Sequence, residues 1–167
     1  MAMDPLSVLL QPPVHQPVVP YVCTIFGGLR PGKMVLIQGR ASSAANRFQV
    51  DFQVGCSTQP RADVAFHFNP RFSSTESHVV CNTLRVEHWL QEVHHPCPQL
   101  RKGESFLLLF LFLSDKVKVS IDGKHFLDYP NCLPLCDVDT LGVYGDVILQ
   151  SISFLCSNPF NQNSPNT

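Results

Sequence analysis

The chain has 167 residues and a formal net charge of −1, with 15% charged and 44% hydrophobic residues. A chain of this size suits one domain with a large core, and its balanced charge excludes the long-range field that gathers nucleic acid or anionic membrane. Twelve phenylalanines stand in short apolar runs that fourteen prolines and nine glycines divide, which indicates a β protein.

Both ends of the sequence have the composition of connecting segments. Residues 1–17 are rich in proline and residues 158–167 in asparagine, so we predict an N-terminal arm and a linker-like tail on either side of one domain over residues 18–157. The start has no basic stretch before its apolar residues, which is unlike a secretory signal. Seven cysteines without a tight framework suggest free thiols in a reducing compartment. We therefore expect a cytoplasmic protein, with a nuclear location or secretion without a signal peptide as alternatives.

Short apolar segments separated by turn residues fill the predicted domain. The longest apolar run, Phe106–Leu113, is far shorter than the roughly 20 residues of a membrane helix, so no transmembrane segment is predicted. Asp122-Gly123 is a strong hairpin signal, and no long segment has a helical period. Such spacing is typical of an all-β sandwich or barrel. The predicted strands are 18–25, 33–39, 47–54, 64–72, 78–84, a short piece around Trp89, 104–113, 116–121, 124–129, 140–144 and 147–155.

Two of these strands have polar side chains on one face and apolar side chains on the other. Arg47, Gln49 and Asp51 alternate with apolar residues along the first strand, and His67 and Asn69 do so along the second. Side chains two residues apart in a strand share a face. If the strands are neighbours, these residues form one polar patch above a core of phenylalanines.

One group of residues combines an imidazole, two amides, a guanidinium, a carboxylate and the only tryptophan. It includes no nucleophile with a base and no phosphate-binding loop, so it is a poor catalytic set. A flat indole beside hydrogen-bonding groups does suit a neutral, hydroxyl-rich ring. The residues are His67, Asn69, Arg71, Asn82, Trp89 and Glu92.

The spacing of these residues resembles the carbohydrate-recognition domain of the galectin family, and especially the N-terminal domain of its two-domain members. The resemblance covers roughly residues 18–157. It is carried by His67-x-Asn69-Pro70-Arg71, Val80-Cys81-Asn82 and Trp89-x-x-Glu92, with support from Phe26-Gly-Gly-Leu-x-Pro-Gly32, Arg47-Phe-Gln-Val-Asp-Phe52, Asp122-Gly-x-x-Phe126 and Asp139-Thr-Leu-Gly-Val-Tyr144.

The resemblance implies a two-sheet antiparallel β-sandwich of the galectin jelly-roll type. It also implies that the domain binds β-galactoside glycans of glycoproteins or glycolipids, with a second galectin domain or a homodimer as candidate partners. In the family, residues that match His67, Asn69, Arg71, Asn82 and Glu92 hold the galactose hydroxyls, and the sugar ring stacks on the match of Trp89.

The shape of galactose suits these residue types. The axial hydroxyl at C4 of galactose leaves one ring face made of C–H groups, which suits the indole of Trp89. An equatorial hydroxyl would leave the polar groups of His67, Asn69 and Arg71 unpaired, at about 1–3 kcal/mol each. Glu92 is expected to pair with Arg71 and to orient its guanidinium plane.

Two residues depart from the family pattern Trp-Gly-x-Glu-x-Arg. Leu90 replaces the glycine after the tryptophan, so it is expected to crowd the groove or to shift the backbone. His94 replaces an arginine that braces the glutamate and reaches the second sugar, and imidazole is shorter with fewer donors. We therefore predict weak binding of plain lactose and selectivity for a decorated galactoside.

An extended subsite is predicted beyond the galactose site, and it includes His94. Arg47, Gln49 and Asp51 lie on the neighbouring strand, and Arg61 lies in the loop before His67. Two arginines could hold a sulfate or sialate on galactose O3, as in some N-terminal galectin domains that this pattern resembles. The carboxylate of Asp51 opposes such an anion.

The main rival function is a protein-interaction module on a galectin scaffold whose sugar site has decayed through Leu90 and His94. The run 106–113 is apolar on both faces, so its outer face is either covered or available to a partner.

Enzymatic, metal and cofactor functions are not predicted. Glu92 and Asp51 are the only candidate glycosidase pair, and a tie to Arg71 would keep Glu92 ionised, which suits a general acid badly. His94-His95-Pro-Cys97 is too cramped for a zinc site, and Cys132-x-x-x-Cys136 is no better.

Overall fold

The computed structural model describes residues 7–157, which form two antiparallel β-sheets around one core. The predicted all-β, two-sheet antiparallel sandwich is confirmed. No helix within these residues is long and apolar enough to cross a bilayer. The strands are β1 (Ser7–His15), β2 (Tyr21–Thr24), β3 (Lys33–Ala41), β4 (Phe48–Gln53), β5 (Val64–Arg71), β6 (His78–Arg85), β7 (His88–Trp89), β8 (Val93–Pro96), β9 (Ser105–Phe112), β10 (Lys116–Ile121), β11 (Lys124–Pro130), β12 (Thr140–Gly145) and β13 (Val147–Ser157), and a short 3-10 helix (Leu135–Asp137) precedes β12.

The six-stranded sheet has the order β1-β13-β3-β9-β10-β11. The seven-stranded sheet has the order β2-β12-β4-β5-β6, with β7 and β8 both paired to β6. The predicted hairpin joins β10 to β11, and Asp122 and Gly123 at its turn have φ angles of 52° and 84°. These left-handed conformations are those that a two-residue type I′ turn requires.

Phenylalanines from the two sheets meet in the core. Phe52 of β4 is fully buried, and its ring centroid lies 5.0 Å from that of Phe110 and 4.8 Å from that of Phe112, both on β9. Both contacts are edge-to-face, which is a favoured geometry for aromatic pairs. Because Phe52 directly follows Asp51, its packing fixes the strand that carries the polar face.

The outward face of β9 is also apolar. Leu107, Leu109 and Leu111 alternate with buried residues and are themselves only half-buried. Leu109 and Leu111 lie opposite Leu36 and Met34 of β3. The run that the sequence shows as apolar on both faces is thus a strand with one core face and one partly exposed face.

Strand formation departs from the sequence prediction in two places. The sequence predicts an arm over residues 1–17, whereas β1 pairs with β13 at the edge of the six-stranded sheet. Pro12 and Pro13 lie at a register shift of this edge strand, where residues without an N–H are tolerated. β8 was not predicted because its polar residues do not alternate. The tail over 158–167 and the first six residues of the arm lie outside the described residues.

The cysteines are free thiols that differ in accessibility. Cys56, Cys132 and Cys136 are exposed, whereas burial raises the pKa of Cys81 to about 12 and that of Cys97 to about 11. A raised pKa keeps a thiol protonated, and the thiolate is the nucleophile. We therefore expect the three exposed thiols to react with an aromatic disulfide at pH 8 in the native protein, and the two buried thiols to react only after unfolding. Peptide mass spectrometry measures this for each site, and rapid native labelling of Cys81 would contradict it.

Candidate functional site

Side chains of β4, β5 and β6 form a polar face on the seven-stranded sheet. β4 and β5, whose alternation predicts a shared face, are neighbours. Their pairing places Asp51 opposite His67, and His67 lies opposite Asn82 of β6. Four residues further along β5, Arg71 lies opposite His78. The fold thus gathers residues that are far apart in sequence into adjacent rows.

A groove of about 370 Å³ lies over this polar face. It contains five of the six residues predicted to bind sugar, together with three of the predicted extended subsite and the substituted Leu90. Asn69 and Asp51 do not line it, because they lie buried beneath it. The lining residues are Arg47, Gln49, Arg61, His67, Arg71, Asn82, Trp89, Leu90 and Glu92.

His67 is held by a buried carboxylate. Its Nδ1 lies 2.6 Å from Oδ1 of Asp51, which is on the predicted outer face but is completely covered by other side chains. Oδ2 of Asp51 accepts a hydrogen bond from Gln49 at 2.8 Å and lies 3.8 Å from the guanidinium of Arg61. Because Nδ1 is committed to Asp51, Nε2 is the imidazole nitrogen that remains for a ligand.

Asn69 is fully buried and orients two guanidinium groups. Its Oδ1 accepts hydrogen bonds from Arg47 at 3.0 Å and from Arg71 at 3.1 Å. Its Nδ2 donates to the carbonyl oxygen of Phe48 at 2.6 Å. The structure therefore places Asn69 beneath the groove as a support for both arginines, whereas the sequence predicts a direct contact with the sugar.

Glu92 lies between Arg71 and His94. Its Oε2 is 3.6 Å from a terminal nitrogen of Arg71, and its Oε1 is 3.1 Å from Nε2 of His94. The predicted pairing of Glu92 with Arg71 is thus present. His94 also reaches the glutamate, although the sequence suggests that the brace is lost. Since all three side chains are partly exposed, we expect these contacts to orient the guanidinium more than to stabilise the fold.

Asn82 and Leu90 are joined by hydrogen bonds across the end of β6. The side-chain nitrogen of Asn82 donates to the carbonyl oxygen of Leu90 at 3.0 Å, and its oxygen accepts from the N–H of Thr83 at 2.8 Å. The N–H of Leu90 donates to the carbonyl oxygen of Thr83 at 2.9 Å. The backbone of Leu90 is therefore anchored to β6, and the residue lines the groove.

Trp89 presents an open aromatic ring, with 42% of the residue exposed. The ring centroid lies 4.8 Å from that of His67, and the guanidinium carbon of Arg61 is 5.2 Å from the indole. This second contact has the geometry of a cation–π interaction. Trp89 therefore sits beside the free nitrogen of His67 and under partial cover from Arg61.

A second groove, of about 430 Å³, adjoins the first and shares Gln49 and Arg61 with it. Tyr144 of β12 lies opposite Gln49, and its hydroxyl donates to Oε1 of Gln53 at 3.0 Å. The ring lies over Gly142, where any Cβ would collide with it. Burial and the charge of Asp51 raise the pKa of Tyr144, so its hydroxyl is a neutral donor. The sequence analysis did not identify the packing of Tyr144 over Gly142, although the alternation of these two residues along β12 was a usable signal.

Outside these two grooves, residues 7–157 contain few groups of side chains that could form another functional site. No three His, Cys, Asp or Glu side chains in this range lie close enough together to hold a metal ion. A larger groove, of about 610 Å³, lies at one end of the sandwich, and Arg40 is the one charged residue among those lining it. Because the polar groups converge on the groove beside Trp89, that groove is the candidate site.

Known proteins of one family are similar to this chain in sequence. Residues 20–154 match a family model described as galactoside-binding lectin. Human galectin-12 is 56% identical over 164 residues, which are 97% of this chain and 49% of that protein. Rat galectin-8 is 45% identical over 150 residues, which are 89% of this chain and 47% of that protein. The chain thus spans about half the length of these relatives.

Two solved structures share the fold. Sheep galectin-11, solved in complex with glycerol, superposes with a TM-score of 0.73 at 29% identity and covers 81% of this chain and 96% of its own. The galectin LEC-6 of Caenorhabditis elegans has a TM-score of 0.76 at 22% identity and covers 88% of this chain and 98% of its own. The second likeness, at this identity, bears on the fold alone.

Proposed function

The chain belongs to the galectin family of galactoside-binding lectins, which are not enzymes, and we propose that it binds a β-galactoside in the groove beside Trp89. The observation that carries this proposal is that the exposed indole of Trp89 lines one groove with His67, Arg71 and Asn82. The ring offers a stacking surface for C–H groups, and the three polar side chains offer partners for hydroxyls. Glycans of glycoproteins or glycolipids are the proposed source of the galactoside.

We propose that plain lactose binds weakly. His94 directs Nε2 at Glu92, which leaves one ring nitrogen, whereas an arginine would retain several N–H donors for a second sugar. Leu90 lines the groove with a side chain that carries no hydrogen-bonding group. Arg61 already contacts the indole of Trp89, so a sugar that stacks on that side must displace a cation–π contact.

A galactoside with a substituent beyond the galactose ring is the proposed better ligand. Arg47 lines the groove, and its hydrogen bond to Asn69 is to a neutral amide, so its charge is available to an anionic group. The opposing charge of Asp51 is engaged by His67 and Arg61. The adjoining groove over Tyr144 supplies further room for such a substituent.

Titration with lactose and with 3′-sulfated lactose tests this function, with Trp89 fluorescence and calorimetry as readouts. Trp89 is the only tryptophan in the sequence, so a ligand at the site should change its emission. We expect lactose to bind weakly and the sulfated sugar to bind more tightly. No response to either sugar or to a glycan array would contradict the proposal.

His94→Arg is expected to raise lactose affinity by about fivefold, because a guanidinium can donate to Glu92 and to a sugar hydroxyl at once. Isothermal titration calorimetry measures the change. His95→Arg is the matched control, since His95 is the next residue on β8 and packs on the other face against Phe126. Equal affinities of the His94→Arg protein and the parent chain would show that this position does not limit binding.

A protein-interaction module with a decayed sugar site is the second candidate function. The contact of Arg61 with Trp89 and the presence of apolar Leu90 in the groove lining favour it, because the first covers part of the indole and the second offers no side-chain partner to a hydroxyl. The partly exposed leucines on the outer face of β9 offer such a module an apolar surface. An empty glycan array together with unchanged Trp89 fluorescence in galactosides would favour this candidate over the first.

A further inference from the structure

His78 lies on β6, next to the residues proposed to bind galactose, but it makes none of the proposed sugar contacts itself. It pairs with Arg71 across β5 and β6. Its imidazole is stacked on that of His94, with ring centroids 5.6 Å apart and an interplanar angle of 16°. His78 is half-buried, whereas His94 is exposed, so the inner ring supports the outer one.

A continuous series of contacts leads from this histidine pair to the sugar groove. His94 approaches Glu92 through Nε2 at 3.1 Å, and the other oxygen of Glu92 is 3.6 Å from Arg71. Arg71 in turn donates from Nε to Asn69, so one edge of its guanidinium is fixed. The position of Glu92 therefore decides how the other edge is held.

We propose that His78 is a positioning residue of the galactoside site, which holds His94 against Glu92 and makes the orientation of Arg71 depend on the charge of His94. The effect on sugar affinity rests on the galactoside function proposed above. The coupling among the four side chains is a property of the sugar-free protein as well.

The charged groups around His94 determine whether galactoside affinity rises or falls with pH. His78 faces His94 from β6, and Glu92 faces it from the β7–β8 connection with Arg71 behind. Glu76, in the loop before β6, lines a groove that His78 and His94 also line. His95 follows on its own strand, with its ring against Phe126. Two carboxylates and one permanent cation thus surround the histidine pair.

Histidine changes charge between about pH 5 and 8. A protonated His94 donates a charge-assisted hydrogen bond from Nε2 to Glu92, which keeps the carboxylate in place beside Arg71. A neutral His94 has one N–H, and when that proton is on Nδ1 the lone pair of Nε2 faces the carboxylate, which weakens the contact. Galactoside affinity is therefore expected to fall as the pH rises through this range.

The primary test is a pH titration of the sugar-free protein by NMR from pH 5 to 8, which follows the imidazole C–H signals and the Nε–H signal of Arg71. We expect the Arg71 signal to move with the titration of His94. It should stay still in His94→Gln, and its movement should be reduced in His78→Ala, which lacks the supporting ring. His78→Phe retains a flat ring and should preserve the coupling. An Arg71 signal that is independent of pH in the parent chain would overturn the inference.

Lactose affinity measured at pH 5.5 and pH 7.5 completes the test. We expect about threefold tighter binding at the lower pH, in keeping with a partly exposed ion pair, and a weaker dependence in His78→Ala. His94→Arg, which retains His67 and the other histidines, supplies the baseline to subtract. His125→Gln removes an exposed histidine that contacts Asp128 on the six-stranded sheet and should behave like the parent chain.

The two proposals fail in different ways. Coupling of Arg71 to His94 without lactose binding in any variant at either pH would overturn the galactoside function and leave the positioning role of His78 intact. If lactose binds, but neither its affinity nor the Arg71 signal changes with pH or with substitution of His78, the positioning role is overturned.

Discussion

Trp89→Leu is expected to lower galactoside affinity by about thirtyfold, which corresponds to about 2 kcal/mol. Leucine retains an apolar side chain but lacks the flat, electron-rich face on which the C–H groups of galactose stack. Because 42% of Trp89 is exposed and the residue lies outside the core, the free energy of unfolding should change little. Isothermal titration calorimetry is the suitable measurement, since the substitution removes the fluorescent reporter.

Ile148→Ala is the control for Trp89→Leu. Ile148 is a large apolar residue of β13 with 51% of its surface exposed, and it lies on the six-stranded sheet. Its truncation should leave galactoside affinity unchanged. If Trp89→Leu also retained the affinity of the parent chain, the indole would not be the stacking surface and the sugar would bind elsewhere.

Phe52→Ala is expected to lower the free energy of unfolding by about 3–5 kcal/mol, the usual cost of truncating a buried phenylalanine. The ring is fully buried and contacts Phe66, Phe110 and Phe112. Its loss would leave a cavity directly beneath the strand that holds Asp51. Chemical denaturation monitored by circular dichroism gives the difference, and weaker sugar binding should accompany it.

Phe26→Ala provides the comparison for this loss of stability. Phe26 is 57% exposed, and the hydrogen bond at this position comes from its backbone N–H to Gln11, which alanine preserves. Its truncation should cost less than about 1 kcal/mol. A similar small cost for Phe52→Ala would mean that the core can collapse around the missing ring.

The face that carries the site could be predicted from the sequence, whereas the depth of its residues could not. Alternation along β4 and β5 places Asp51, His67 and Asn69 on the outer face, and the structure agrees. The alternation of polar and apolar residues does not show which other side chains lie over a face. Asn69 and Asp51 are both fully buried there, because the long side chains of Arg47, Gln49 and Arg61 lie over them.

The effect of His94 shows a second limit of sequence reasoning. Replacement of an arginine by a shorter side chain suggests that Glu92 loses a partner, yet His94 lies 3.1 Å from it. The contact depends on β8, whose polar residues gave no strand signal, and on the ring of His78 behind it. Pairing of a polar edge strand is decided by its neighbour in space, so a local pattern could not reveal it.

The shared oxygen of Asn69 has a consequence for attempts to engineer ligand preference. Since one amide oxygen anchors both Arg47 and Arg71, a substitution there would perturb recognition of the galactose core and of any appended group together. Arg61 contacts Asp51 and Trp89 from its own loop, so a substitution there would leave this shared anchor in place.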